Sequence, residues 1–290
     1  MSEQKRFGAA KIAASVAGLA LGTVLSAGVA GAADLGAYPG NYGAYKAPVA
    51  APAWVVTLGV EGMVEPEFLG SDDFTVRPAP IFSFRRAGTP EKFRSPNDNI
   101  SFAVIDLGGF ELGPVGKLVS SRKESDSHAL YGLGDVGWTV ELGGYVQYWW
   151  TPWLRTRAEV RQGIGGHSGV VADITGDVVV PVTPQLTLSG GPRVQLATAK
   201  ANDPYFSIDP WHSFISGLPT YDAGGGVRSV GAGAQARYFW TPTFATHVYV
   251  EYAHLMDDVA DSPLVTYRGS EDQITVGVGF TQAFTIQQFW

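Results

Sequence analysis

The feature that most constrains this fold is a period-two alternation of apolar and polar residues that recurs along the chain beyond residue 54. Between Val136 and Trp150 the even positions are almost all apolar or aromatic, whereas the odd positions from Thr139 to Gln147 are small or polar. Successive side chains of a β-strand point to opposite faces, so the pattern predicts strands with one apolar and one polar face. The alternation returns at 154–161, 185–196, 229–240 and 244–252.

A soluble β-sandwich also alternates, but the length and the ends of these segments favour a membrane barrel. Several segments run for ten to fifteen residues, which is longer than the five or six usual in globular strands and enough to cross a bilayer at a tilt. Aromatic residues cluster where segments end, at Tyr148–Trp150 with Trp153 and at Tyr238–Trp240. Such clusters are typical of the membrane–water interface.

Short turns alternate with long polar connections. Thr-Pro turns occur at residues 151–152, 183–184 and 241–242, and long polar stretches at 120–135, 200–227 and 256–272. We therefore predict an all-β fold, a transmembrane antiparallel up-and-down β-barrel with short periplasmic turns and longer extracellular loops. About eleven segments are recognisable, and single-chain bacterial barrels have even counts, so we predict twelve strands, with ten as the alternative. The ambiguous region lies between Arg85 and Arg122.

The two ends of the chain carry export and assembly signals. A basic start, an apolar run from Ile12 to Ala30 and the site Ala30-Gly31-Ala32 predict a signal peptide over 1–32. An Ala/Pro/Gly-rich periplasmic linker is predicted over 33–53 and the barrel over 54–290. The last alternating strand ends in Trp290, which resembles the signal read by the barrel-assembly machinery. The predicted location is the outer membrane of a Gram-negative bacterium, in contact with its lipid and lipopolysaccharide.

Composition excludes several classes of function. The chain has no cysteine, so disulfides, thiolate metal sites and cysteine nucleophiles are absent. A formal charge of −7 gives no basic surface for nucleic acid. The five histidines show no metal-ligand spacing, and no cofactor is predicted.

If the apolar faces meet lipid, the polar faces line the lumen. Charge at membrane depth is costly unless it is hydrated or paired. The mixed signs predict either interior salt bridges that stiffen the barrel or, as the alternative, a pathway for small anions along Arg155–Arg161. The predicted lumen residues are Glu141, Arg155, Arg157, Glu159, Arg161, Arg193, Arg237, His247 and Glu251.

Five motifs in order resemble the MipA/OmpV family of outer-membrane proteins. They are Glu65–Asp73 followed by Pro78–Pro80, Tyr131–Val136 followed by Val140–Gly143, Gly163–Gly169, Tyr205–Ile208, and Asp257–Val265. The resemblance implies an outer-membrane barrel, and one family member is named as a scaffold for a lytic transglycosylase and a peptidoglycan synthase. The loop residues that carry the motifs are Gly70, Ser71, Asp72, Asp73, Asp257, Asp258, Asp261, Ser262 and Pro263.

Two motifs invite a chemical interpretation. His167-Ser168 follows two glycines, and the pair would suit a lipid hydrolase only in a turn, because neighbours on a strand face opposite sides. A tight turn without chemistry is the simpler interpretation. Asp257, Asp258 and Asp261 could bridge a cation or lipopolysaccharide but match no calcium-loop spacing. No catalytic or metal residue is therefore predicted.

Three hypotheses about function follow. The first is a non-enzymatic barrel with a structural or scaffolding role in peptidoglycan assembly, with a peptidoglycan hydrolase or synthase as partner. The alternative is a narrow channel for small anionic solutes. The third is a lipid-acting outer-membrane enzyme.

Overall fold

The computed structural model describes residues 53–287 as one antiparallel sheet of twelve strands. The predicted signal peptide, nearly all of the predicted linker and Trp290 lie outside the described residues. Every strand except the second and third pairs with the strand that follows it in sequence, the third pairs with the fifth, and the twelfth pairs with the first. The prediction of an all-β, twelve-stranded, up-and-down architecture is confirmed. The strands are β1 (Ala53–Pro66), β2 (Phe74–Arg86), β3 (Ile100–Ser101), β4 (Ile105–Asp106), β5 (Phe110–Val119), β6 (Thr139–Thr151), β7 (Leu154–Gly165), β8 (Val170–Pro181), β9 (Leu186–Ala197), β10 (Gly226–Phe239), β11 (Phe244–Leu255) and β12 (Asp272–Gln287).

The sheet is irregular in the region where the sequence is ambiguous. Within that region the chain forms two very short strands where one of ordinary length would complete the sheet: β3 and β4 have only two residues each, and both pair with β5. Pro114 of β5 has no N–H to donate to this ladder, and the pairing shifts by one residue between Ser101↔Val115 and Ile105↔Leu112. The proline and the shift account for the interruption.

The position of β2 at one edge of the sheet also follows from prolines. Pro78 and Pro80 lie in it, and prolines are tolerated in sheets mainly on edge strands because they donate no ladder hydrogen bond. Among residues 53–287, β2 pairs with β1 alone. Arg77 of β2 nevertheless contacts Ser120, just beyond β5, through a 3.3 Å hydrogen bond from Nη1 to Oγ. The two edges of the curled sheet therefore approach each other.

The two faces of the sheet have the opposite polarity to those of a soluble β-protein, because the outer face is apolar and the inner face is polar. Large apolar side chains such as Leu142, 54% exposed, point outward along strands β1 to β12. Charged side chains on the same strands point inward, and Arg155 and Arg161 are almost completely buried. An apolar exterior around a polar interior is typical of a barrel whose wall meets lipid.

Aromatic pairs repeat at the short-turn rim. Tyr148 and Trp150 make an edge-to-face pair with ring centroids 4.8 Å apart, and Tyr238 and Trp240 make another at 4.7 Å. The Trp150 indole N–H donates to Thr156 Oγ1 at 2.9 Å. This arrangement suits rings that lie at a membrane–water boundary.

The long connections contain four short helices that the sequence analysis treated only as polar loops. They are α1 (Ala199–Phe206), α2 (Pro210–Ser216), α3 (Asp257–Ala260) and α4 (Pro263–Arg268), and two single turns of 3₁₀-helix lie at Glu124–Asp126 and His128–Leu130. Asp209 caps α2 through a hydrogen bond from His212 N, and Gly217 ends it with φ of 74°. In the described part of the chain, no helix has the length and apolar character to span a bilayer.

Candidate functional site: a plugged and capped lumen

A segment between β2 and β3 folds against the inner face of the sheet. We call Thr89–Asn99 the inner segment. Ser95 is only 5% exposed, and its hydroxyl accepts a 2.9 Å hydrogen bond from Arg193 Nη2. Asn99 donates from Nδ2 to Glu159 Oε2 at 2.7 Å. The inner segment therefore reaches wall residues on β7 and β9.

The strongest tether joins Asp98 to Arg155. The guanidinium donates to both carboxylate oxygens, at 2.6 and 2.9 Å, the two-point geometry that makes such pairs strong. Arg155 also donates from Nε to Asp177 Oδ2 at 3.0 Å. Burial raises the pKa of the Asp98 carboxyl, but the adjacent Arg155 outweighs burial and holds that pKa below its ordinary range. The tether therefore stays charged at neutral pH.

A second set of contacts holds the beginning of the inner segment near the short-turn rim. Glu91 accepts a 2.6 Å ion pair from Arg237 Nη2. Phe93 packs edge-to-face on Trp149 with centroids 6.1 Å apart, and the Arg155 guanidinium lies 4.8 Å from the Phe93 centroid. The inner segment is thus tied at both ends and fills part of the lumen.

The wall beside this segment carries a continuous network of buried charges. Arg161 donates to Glu141 at 2.8 Å and to Glu159 at 2.6 Å. Arg157 pairs with Glu159 at 2.7 Å, and its guanidinium lies 3.9 Å from the Tyr145 ring centroid. Charges removed from water are tolerated because each has partners of opposite sign.

The eight charged residues that the prediction assigns to the lumen all turn to this interior. Six are buried and two, Arg237 and Glu251, are half-buried; the buried ones are Glu141, Arg155, Arg157, Glu159, Arg161 and Arg193. His247, also predicted there, is buried and lies 2.6 Å from Glu61 Oε2. Sequence reasoning missed the acidic partners Asp98, Asp173 and Asp177. The last two share one face of β8 by alternation, which could have identified them.

The long loops pack over the other end of the sheet as a cap. We define the cap as residues 67–73, 120–138, 198–225 and 256–271. One apolar cluster joins Phe206, Leu255, Val259 and Val265, and a second joins Phe68, Leu130 and Leu264. Loops that follow four different strands are thereby held together.

The family-motif residues lie in this cap. Gly70 has φ of 97°, and its N–H donates to Gln273 Oε1 at 3.0 Å. Ser71 is buried, and Pro263 is buried beside Ser262, which donates from Oγ to the Phe206 carbonyl at 2.8 Å. The acidic motif residues Asp72, Asp73, Asp257, Asp258 and Asp261 are exposed or half-buried. Within residues 53–287 no group of three or more ligating side chains could hold a metal ion.

The His167-Ser168 motif forms the turn between β7 and β8. His167 is buried, with Nε2 3.0 Å from Glu141 Oε1. Ser168 is exposed, and its carbonyl accepts from Gln162 Nε2 at 2.6 Å. The histidine therefore faces the charge network, and its hydrogen bonds go to Glu141 and Gly169 instead of the serine hydroxyl.

A cavity of about 630 Å³ lies between the inner segment and the cap. Asn97 and Asn99 line its side toward the inner segment, and Phe68, Arg122 and Tyr205 line its side toward the cap. Side chains of nine of the twelve strands complete the wall. The lumen thus contains a plug, a polar chamber and a cap in series.

Loosening the cap should leave the wall intact. Phe206 is fully buried at the centre of the first apolar cluster, so Phe206→Ala should cost the cap about 3–5 kcal/mol. Limited trypsin digestion should then cut at Lys200 at least about tenfold faster, because cleavage follows local opening. Phe214→Ala in α2 is the matched control, since Phe214 is 84% exposed. Equal cleavage of both variants would contradict the packing role of Phe206.

Comparison with known proteins gives one informative match. The family model described as MltA-interacting protein MipA matches residues 58–284. A search of curated proteins gives no match.

Several solved structures are distant likenesses of this chain. A bacterial polysaccharide outer membrane secretin is 11% identical over 83% of this chain and 100% of its own, with a TM-score of 0.42. The NanC porin is 8% identical over 80% and 99%, with a TM-score of 0.39. The KdgM porin is 10% identical over 79% and 99%, with a TM-score of 0.36. Likeness at this level carries no information about what the chain binds or transports. The family model, in contrast, spans most of the sequence, and the chain belongs to the MipA family.

Proposed function

We propose that this protein is an outer-membrane β-barrel with a closed lumen that acts as a scaffold in cell-envelope assembly. The observation that carries the proposal is the inner segment, which occupies the lumen and is tied to the wall by the Asp98–Arg155 pair. An open pore would need this space for solute. A scaffold needs a rigid body, which the buried charge network and the packed cap supply.

The character of the outward face of the sheet favours a location in the outer membrane. The outward face is apolar along its strands, and aromatic pairs lie at the short-turn rim. In barrels of this kind the short turns face the periplasm. The predicted signal peptide at 1–32 would deliver the chain to that compartment.

The partner that fits this role is a peptidoglycan enzyme. The family description speaks of interaction with MltA, and a lytic transglycosylase of that kind would reach the barrel from the periplasmic side. The surface available to it is the short-turn rim, where Thr183 and Thr241 are exposed. Such a role requires no catalytic group on the barrel, so we propose a non-enzymatic protein.

In-cell cross-linking tests the scaffold role. A photo-reactive residue at position 183 or 241 should form an adduct with an MltA-type lytic transglycosylase in intact cells. The same residue at exposed cap positions 266 or 267 is the control and should give none. If neither rim position gives an adduct although the barrel assembles normally, the scaffold role is contradicted.

The alternative of a narrow channel for small anionic solutes is favoured by one observation, the polar chamber of about 630 Å³ inside the lumen. It requires the inner segment to move aside, and it predicts conductance steps in a planar bilayer. Arg157→Glu should then shift ion selectivity. The third hypothesis, a lipid-acting enzyme, predicts an activity that is lost in His167→Ala.

A further inference from the structure

We infer that the chamber between the inner segment and the cap is a binding site for a small hydroxylated oxyanion, a carboxylate or a phosphate. This inference is independent of the scaffold role. It starts from buried polar side-chain atoms that make no hydrogen bond within residues 53–287. Six such atoms belong to residues that line this one chamber, and one of them, Arg77 Nε, forms an ion pair with Glu65 at 2.8 Å. The other five are Arg122 Nε, Thr175 Oγ1, Arg193 Nε, Tyr205 Oη and Glu251 Oε1.

Unsatisfied buried polar atoms are uncommon in folded proteins, and each needs an explanation. Arg122 and Arg193 are both more than nine-tenths buried. Arg122 uses its Nη atoms on the carbonyls of Tyr205 and Pro204, at 2.6 and 3.3 Å, which leaves Nε free. Burial lowers the pKa of Arg122 to about 10, so the guanidinium is still charged at neutral pH. The free Nε atoms of Arg122 and Arg193 belong to side chains that line the same chamber. This points to a ligand that accepts hydrogen bonds.

Lys117 adds a cation to the same wall. It projects inward from β5 and lines the chamber, close enough to Glu65, Glu141 and Asp173 for its charge to stabilise their carboxylates. Its ammonium nevertheless makes no hydrogen bond or ion pair within 4 Å in the part of the chain that the structure describes. A lysine half-buried in a charged lumen would ordinarily pair with a carboxylate. Here Glu141, which faces it across the β5–β6 ladder, is already held by Arg161 and His167.

Two half-buried carboxylates of the chamber are engaged as well. Glu61 accepts from Tyr249 Oη at 3.0 Å and lies 2.6 Å from His247 Nε2. Asp173 is held by Arg161 and by Gln195. The free groups are therefore mostly donors, and a ligand with an anionic oxygen group satisfies them.

Two acceptors define the rest of the ligand. The Glu251 carboxylate lies beside the Asn97 side chain, but its Oε1 atom makes no well-formed hydrogen bond within residues 53–287, and Arg193 Nε lies 3.8 Å from its other oxygen, beyond hydrogen-bond distance. Thr175 Oγ1 is free on the neighbouring wall. Hydroxyl groups on the ligand could donate to these oxygens, which is why the inference specifies a hydroxylated oxyanion. The Glu67 side chain, on the cap side, adds a carboxylate that makes no ion pair within residues 53–287, and this negative charge limits how much anionic charge a ligand in the chamber can carry.

Three probes with one carbon skeleton test the site: glycerol 3-phosphate, glycerate and glycerol. The whole protein is refolded in detergent with each probe present, so that the plug and the cap do not restrict entry, and binding is measured by equilibrium dialysis. At least one anion should bind tenfold or more tighter than glycerol. If only one anion binds, the result shows whether the chamber recognises a phosphate or a carboxylate. If both bind, the chamber recognises the oxyanion that the two groups have in common.

Two variants link binding to this chamber. Lys117→Gln removes an ammonium that makes no hydrogen bond within residues 53–287, and it should weaken anion binding by about 10- to 100-fold, the range for a hydrogen bond to a charged group. Tyr205→Phe removes one free hydroxyl and should weaken binding several-fold. The control is Lys92→Gln, because Lys92 pairs with Asp106 and Glu111 outside the chamber.

The inference is overturned if neither anion binds the native protein or if glycerol binds as tightly as the anions. It is equally overturned if Lys117→Gln binds like the native chain. Mobility on unheated gels confirms that each variant is folded, so a lost barrel cannot be mistaken for a lost site.

Discussion

Replacing Arg155 with alanine is expected to lower the free energy of unfolding by about 3–5 kcal/mol, the usual cost of breaking a buried ion pair by removing one partner. The guanidinium is completely buried and pairs with both Asp98 and Asp177. Its removal leaves Asp98 with the more distant Arg157, 3.6 Å away, and Asp177 with Arg193 alone as ion-pair partners within residues 53–287. Urea unfolding of detergent-solubilised protein, followed by tryptophan fluorescence, measures the change.

Arg237→Ala is the matched control. Arg237 makes a comparable 2.6 Å pair with Glu91, but both side chains are partly exposed near the rim. Partly exposed pairs contribute about 0–1 kcal/mol, so this variant should unfold close to the native midpoint. A third variant, Arg155→Ala combined with Asp98→Asn, should recover part of the loss, because Asp98 is the carboxylate that loses its close two-point partner and the second change removes its buried charge. Equal effects of Arg155→Ala and Arg237→Ala would contradict the account of the buried network.

The second large effect concerns access to the inner segment. The chain has no cysteine, so a single introduced thiol reports on its own position. Ser95→Cys should react with a water-soluble maleimide at least about 100-fold more slowly than Thr89→Cys, because Ser95 is buried and Thr89 is exposed. Labelling rates of the two folded proteins in detergent give the comparison.

Cutting the tether should expose the same thiol. In the Arg155→Ala background Ser95→Cys should label at least about tenfold faster, since the inner segment has lost its strongest contact with the wall. Thr89→Cys, which is exposed in both backgrounds, should keep its rate. If Ser95→Cys already labels as fast as Thr89→Cys in the otherwise native chain, the inner segment does not occupy the lumen.

The strands of the barrel could be predicted because alternation is a local signal. The run from Thr139 to Trp150 repeats apolar and polar residues often enough to identify β6 and to give the face of each side chain. The inward course of Arg155, Arg157 and Arg161 follows from the same count. The length of each long strand and the position of each short turn are likewise encoded within a few residues.

The plug could not be predicted from the sequence. Asp98 lies in an aperiodic polar segment, and nothing near it indicates that it meets Arg155, 57 positions away. The pairing depends on how the whole sheet curls, which is a property of the tertiary structure. The break between β3 and β4 could not be predicted either. The apolar alternation in that region indicates a continuous strand, whereas Pro114 interrupts its hydrogen-bond ladder.

The cap helices escaped prediction for a different reason. They have four to eight residues each, too few for a helical period to stand out, and isolated helices of this length are unstable. Phe206 and Val265 stabilise them by packing across loops that are far apart in the sequence. The motif residues Gly70 and Ser262 make contacts in the same region, so the loops that carry the family resemblance are also the ones that build the cap.

A closed lumen separates the two leading functions. A scaffold needs no passage for solute through the lumen. A channel, in contrast, must break the contacts that Asp98, Ser95 and Asn99 make with the wall. The buried ion pairs make that displacement costly, and this favours the scaffold. The chamber above the plug can hold a small molecule in either case.

Planar-bilayer recording of the purified protein tests the closed lumen most directly. With the plug and the cap in place, the native protein should insert without sustained conductance steps over the voltage range in which porins stay open. Regular, long-lived steps from the native protein, with a selectivity for anions that Arg157→Glu reverses, would contradict the closed lumen and establish the channel.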